Sequence, residues 1–176
     1  NFSSGGYRVE MPDGETVAKP AIRIALSAVS GASEKEIATI TAGQPYIDLA
    51  DFYRRSGASA PTMETLILTG AFDAVHIAPA SEGGAITHRD LLLHLADLQK
   101  TSAPSLSGAQ LSLGLAPPVL AASGLPAMSS GEKAANELSR LGMDISEHLL
   151  SPYAEFLNAI GATRSCDLLQ QRSNSE

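Results

Sequence analysis

The sequence predicts a mainly α fold: a helical bundle containing a helix-hairpin-helix, with a small β-hairpin at its N-terminal end and a second short helical unit beyond a Pro-rich linker. Three observations predict it. Apolar residues recur at helical spacing along most of the chain, so each such segment carries one stripe to bury. Two Ser-x-x-Glu boxes, Ser33 to Glu36 and Ser129 to Glu132, mark helix starts. Strand-like alternation, by contrast, is confined to residues 7 to 24. The aromatics fall at Phe2 to Phe72 and again at Tyr153 and Phe156, with none between, which suggests two packed units.

Taken in order, Tyr7-Arg8-Val9-Glu10-Met11 and Ala21-Ile22-Arg23-Ile24 read as a hairpin, with turn chemistry from Pro12-Asp13-Gly14. The period then becomes helical. Ser33 accepts from the backbone at the third helical residue while Glu36 reaches back, and Ile37 and Ile40 form the buried face. Asp48 caps a helix whose Leu49, Phe52 and Tyr53 share a side and which stops at Gly57. Pro61 suits the first turn of the next, where Met63, Leu66, Ile67 and Gly70 follow the i, i+3, i+4, i+7 spacing. Thr87 to Asp90 opens a helix with Leu91, Leu92, Leu95 and Leu98 inward. Ser129 caps one with the stripe Ala134, Leu138, Leu141. Ser151 caps and Pro152 begins another, in which Tyr153, Phe156, Leu157 and Ile160 pack before Gly161, and a short helix is expected over 163–171.

These elements divide the chain into a hairpin and helix-hairpin-helix unit over 1–75, an accessory helix over 76–100, a linker over 101–131 and a second helical unit over 132–176. The linker holds Pro104, Pro117, Pro118 and Pro126 among Ser, Ala and Gly, a composition that cannot sustain a helix.

Composition narrows the function. Twelve Lys and Arg against nineteen Asp and Glu leave a net charge of −7, which argues against a self-sufficient nucleic-acid binder and confines any phosphate contact to a local patch. The single cysteine, Cys166, excludes an intramolecular disulfide and a thiolate metal cluster, and fits a reducing compartment. No apolar run reaches the roughly 18 residues of a membrane span, so no membrane partner is expected. A chain that opens on Asn1 rather than Met reads as a piece of something longer.

No catalytic constellation is present. His88 and His94 are six apart, off the i, i+4 spacing of a helical metal pair, and with His76 and His148 they read as solvent-facing residues, so no metal site is assigned. G-x-S-x-G, Walker A and G-x-G-x-x-G patterns do not occur. Asp48 and Asp51 sit in a helix's first turn, where the macrodipole favours carboxylates, so capping explains them without acid-base work.

Two segments carry more. From Leu26 to Ile37 an apolar short helix meets a Gly-containing turn and then a capped helix, the layout of a helix-hairpin-helix. Such a turn directs backbone N–H groups outward, the helix dipole adds partial positive charge, and Lys35 one turn in can reach an anionic oxygen. Ser30, Gly31, Ala32, Ser33 and Lys35 are therefore the candidate phosphate-binding residues. The alternative is a plain helical corner in which Ser33 only caps. The second segment, Gly108 to Leu115, places Gln110, Leu111 and Leu113 inside the linker, where an exposed apolar peptide can dock in a partner's pocket. A linker that packs back on its own domain would look the same.

Together these segments resemble the C-terminal part of bacterial family C DNA polymerases, the DNA polymerase III alpha subunit and its error-prone relative. Pro45-Tyr46-Ile47-Asp48-Leu49-Ala50-Asp51-Phe52-Tyr53-Arg54-Arg55 resembles the family's PF-x-S/D-L-x-DF-x-x-R stretch. Leu66-Ile67-Leu68-Thr69-Gly70-Ala71-Phe72-Asp73 is similar to its L-I-x-x-G-A-F-D signature. Gln110-Leu111-Ser112-Leu113 looks like a sliding-clamp peptide, and Glu132 to His148 resembles the segment preceding the OB-fold, a domain this chain does not include. Glu147 and Leu149, which flank His148, depart from the replicative pattern, and two further departures stand out. Ser33 replaces the second hairpin glycine, and Gly114 stands where the clamp peptide has Phe, so the clamp site is degenerate.

The resemblance implies an error-prone DNA-directed polymerase that transfers nucleotides with two Mg²⁺ held by palm carboxylates lying outside these residues. It implies for this piece, which itself needs no cofactor, a non-catalytic grip on double-stranded primer-template, in the bacterial cytoplasm at the nucleoid. Clamp contact is expected to be weak or lost, with an accessory polymerase protein reaching the clamp instead. The other class is a protein-interaction or scaffold module that joins the polymerase core to the OB-fold or clamp and never touches DNA.

Overall fold

A computed structural model describes residues 3–10, 21–77, 85–102 and 118–170. Strands β1 (Arg8–Glu10) and β2 (Ala21–Arg23) pair antiparallel with Val9 opposite Ile22. A single 3₁₀ turn, Leu26–Ala28, leads to α1 (Glu34–Gly43), α2 (Leu49–Arg55), α3 (Ala60–Leu68) and the short α4 (Asp73–His76). Then come α5 (His88–Ser102), α6 (Ser130–Leu141) and α7 (Ala154–Ala159), with 3₁₀ turns at Ser151–Tyr153 and Ser165–Gln170. The described residues are thus mostly helical with one small hairpin.

Helix starts follow from side chains that satisfy otherwise unpaired N–H groups. Ser33 Oγ accepts from Glu36 N at 3.3 Å and Glu36 Oε2 accepts from Ser33 N at 2.8 Å, a complete capping box. Asp48 Oδ1 accepts from Asp51 N at 2.6 Å at the start of α2. Ser129 and Glu132 repeat the box at α6, which ends at Gly142 with φ +71°, a left-handed conformation suited to glycine.

The core centres on α2, α3 and α5. Leu49, Ile67 and Leu91 are fully buried among them, and an edge-to-face chain of rings runs from Tyr46 to Phe52 (4.8 Å) and on to Phe72 (5.2 Å). Leu26 and Val29 anchor the 3₁₀ turn in this cluster. Helix α6, which the sequence places beyond the linker, packs on α3 and sends Leu141 into the same core.

Three packing expectations are corrected. Leu138 is 41% exposed while Glu137 is buried, because the Glu137 carboxylate accepts from the backbone of Ile145 (2.7 Å) and Ser146 (2.9 Å) as the chain folds back along α6. Tyr153, Phe156 and Ile160 do not pack: each is about three-fifths exposed (58%, 63% and 61%), since the six-residue α7 packs mainly on the 3₁₀ turn just before it and not on the main core. His88 and His94 are buried rather than solvent-facing, because α5 turns that side onto its neighbours.

Candidate nucleic-acid interface

The candidate interface is the turn between Leu26–Ala28 and α1. Gly31 holds φ +85°, where an L side chain is strained, yet a Cβ there would meet nothing within 4 Å. Glycine is therefore required by the backbone and not by crowding. The turn's N–H groups divide into two sets. Ser30 N donates to Arg140 O at 2.8 Å, Ala32 N to Val29 O at 3.2 Å and Ser33 N to Glu36 Oε2 at 2.8 Å, so these three are spent inside the protein. Among the described residues, the backbone N–H groups of Gly31, Glu34 and Lys35 find no acceptor, and the Lys35 side chain is exposed and unpaired. The structure thus brings Ser30, Gly31, Ala32, Ser33 and Lys35 together on one exposed turn, but gives them unequal chemistry.

The carboxylate of Glu36 organises this corner. Its Oε1 accepts from Ser59 N at 2.8 Å and Thr62 Oγ1 at 3.1 Å, while Oε2 accepts from the backbone and hydroxyl of Ser33. One carboxylate therefore caps α1 and also ties down the start of α3. Hydrogen bonds from the Ser33 backbone, and next from the Ser59 backbone, hold the Glu36 carboxyl far below the ordinary range. The same group fills the position at the α1 N-terminus that an external anion would take, and Glu34 adds a second negative charge in that turn.

Arg140 lies against this turn, a neighbour that motif reading missed. Its carbonyl receives the Ser30 N–H, its Nη1 donates to Thr65 Oγ1 at 3.0 Å, and it forms no ion pair among the described residues. A separation of 110 positions left no local signal. Arg55, in contrast, pairs with Asp51 at 2.7 Å and lies over the Tyr46 ring, while Arg89 bridges α5 to Glu132 of α6 at 2.9 Å. Gln110, Leu111 and Leu113 lie outside the described residues.

The histidines serve packing and capping. His76 Nε2 accepts from Leu49 N at 2.9 Å, so a neutral imidazole closes the start of α2. Burial pushes the His76 pKa down, the Asp48 charge opposing and His94 reinforcing the shift. His94 is lowered by burial too, against Asp48 and Asp97. His88 Nε2 lies 2.9 Å from Asp73 Oδ1. Among the described residues no three or more of His, Cys, Asp and Glu gather as a metal ion would require.

A turn of this geometry opening into a capped helix defines the class, and residues 1–81 match the family model described as a helix-hairpin-helix motif. The chain is similar to segments of two kinds of bacterial polymerase. It is 31% identical over 159 residues to the DNA polymerase III subunit alpha of Neisseria meningitidis serogroup B, covering 86% of this chain and 14% of that protein. It is 35% identical over 97 residues to the error-prone DNA polymerase of Corynebacterium diphtheriae (53% of this chain, 9% of that protein). With the error-prone DNA polymerase of Symbiobacterium thermophilum the identity is 46% over 61 residues, 32% of this chain and 6% of that protein. The chain thus spans 14% or less of the length of these relatives and resembles a fragment of them. No solved structure matches it.

Proposed function

We propose that this chain is the helix-hairpin-helix segment of a bacterial family C DNA polymerase of the error-prone type, and that it grips duplex primer-template DNA through the phosphate backbone without reading sequence. The observation that carries this is the Gly31 turn, which opens into a capped helix within the matched residues and leaves the N–H groups of Gly31, Glu34 and Lys35, with the Lys35 ammonium, unspent. Ser30, Ala32 and Ser33 shape the turn, and Gly31 and Lys35 meet the phosphate. Relatives named error-prone DNA polymerases support the type, as do the degenerate clamp peptide at Gly114 and the residues Glu147 and Leu149 that flank His148 and depart from the replicative pattern. Nucleotidyl transfer with two Mg²⁺ would fall, as the family resemblance implies, to palm carboxylates outside these residues. No described helix is long and apolar enough to cross a membrane.

Replacing Lys35 with Glu tests the grip. Each phosphate contact adds about 0.9 to the slope of log affinity against log salt, so Lys35→Glu should weaken primer-template binding and flatten the slope by about one contact. Unchanged affinity and slope would remove the hairpin from the interface. With a net charge of −7 the isolated chain should bind duplex weakly, and most visibly at low salt.

A second reading, a scaffold joining the polymerase core to other modules, is favoured by one observation: Leu150, Tyr153, Phe156 and Ile160 are all more than half exposed. A peptide covering 105–118 separates its clamp-binding version. Gly114 predicts no capture of the sliding clamp, and tight capture would show that the leucines suffice.

A further inference from the structure

We infer that Arg140, at the C-terminal end of α6, is a second phosphate-backbone contact of the same interface, resting on the reading above that the hairpin meets DNA. Position comes first. The Ser30 N–H donates to the Arg140 carbonyl at 2.8 Å, so the end of α6 lies against the turn that carries Gly31. Lys35 stands on the α1 side of that turn and Arg140 on the side of the 3₁₀ turn. The Arg140 backbone thus adjoins the turn that carries the unspent Gly31 N–H, and its guanidinium is held on the neighbouring Thr65 of α3.

Chemistry comes second. Arg23, Arg55 and Arg89 each face a carboxylate, Glu10, Asp51 and Glu132 respectively. Arg140 faces only the neutral Thr65 hydroxyl, 3.0 Å from Nη1, and its Nε and Nη2 donors have no partner among the described residues. The remaining donors of this half-buried guanidinium, oriented by a hydroxyl, suit a phosphate's geometry. Its charge also offsets the negative end of the α6 dipole, which would otherwise oppose a phosphate brought to the turn.

The bond to Ser30 uses the Arg140 carbonyl, so replacing the side chain leaves it in place. The ¹⁵N-labelled 176-residue chain is titrated at low ionic strength with a short DNA duplex, following the arginine Nε–Hε signals, alongside Arg140→Gln, Arg140→Lys and Lys35→Gln, with thermal midpoints recorded for each. Binding should move the Arg140 Nε–Hε signal. Arg140→Gln should lower the salt slope by about 0.9, so that its loss of affinity over a fourfold rise in salt is about 3.5-fold smaller than that of the parent chain. Arg140→Lys should recover the slope. A slope lowered by Lys35→Gln but not by Arg140→Gln would overturn the role of Arg140 and leave the hairpin reading intact. Affinity lost in Arg140→Gln without a slope change, together with a lower thermal midpoint, would make Arg140 a structural support and overturn the contact. No change in either variant would overturn both readings.

Discussion

Removing the Glu36 carboxylate should loosen two helices at once. In Glu36→Ala the Ser33 N–H and hydroxyl lose their acceptor on one side, and Ser59 N and Thr62 Oγ1 lose theirs on the other, 23 and 26 positions along the chain. The corner is partly solvated, so water replaces some of each bond. Taking about 1 kcal/mol for each helix start that loses its cap gives about 2 kcal/mol in all. For a chain of this size that lowers the thermal midpoint by about 4–8 °C. Glu36→Gln keeps an acceptor oxygen and should lose about half as much. The two variants should also differ from the parent in a pH-dependent way. The folded-state pKa of Glu36 is depressed, so the folded state holds fewer protons than the unfolded one. The stabilisation is therefore complete above the ordinary carboxyl value of 4.5 and fades as pH falls below it. Urea denaturation at neutral pH and near pH 3 measures both effects, and the gap between Glu36→Gln and the parent should shrink at the lower pH. A Glu36→Ala chain within about 0.5 kcal/mol of the parent, the range of an ordinary surface substitution, would show that the carboxylate does not tie α1 to α3.

Other outcomes follow from the same structure. Gly31→Ala should cost about 1–2 kcal/mol in denaturant melts through its positive φ, with no added clash since the space beside it is open. Asp90 accepts from the backbone and hydroxyl of both Thr87 and Ser123; burial pushes its pKa up, but those hydrogen bonds win and hold it at about 2. Asp90→Ala should cost about 3 kcal/mol by urea titration, because it uncaps α5 and releases the 118–125 segment. The lowered pKa of His76 means that the unfolded chain takes up protons first as pH falls through 6.5. Stability by chemical denaturation should therefore drop from pH 7 to pH 5, and His76→Gln should flatten that drop.

What can be read from the sequence is local. Ser33, Asp48 and Ser129 announce their helices because each accepts from an N–H three positions ahead, a bond whose two ends lie in one short window. The same holds for the alternation that pairs Val9 with Ile22. Burial of His88 and His94, in contrast, is decided by α2 and α3 packing on α5, and no window around either histidine contains that information. Glu137 is, along its own helix, no more than a polar neighbour of the Leu138 stripe; its burial depends on the chain returning to give it two backbone donors at 145 and 146. Within the candidate site, Gly31 and Lys35 are legible as turn chemistry. Which of the turn's donors stay free is not, since Ser30 is answered by a carbonyl 110 residues away.

The berth of Leu141 bears on how this protein can be taken apart. The motif match ends at residue 81, yet the core beneath the hairpin is completed by Leu91 and Leu95 from one later helix and Leu141 from another. A chain cut at the motif's end would open a hydrophobic trough under the 3₁₀ turn and strand the Ser30 amide without its carbonyl. The smallest excisable module therefore runs at least through Gly142.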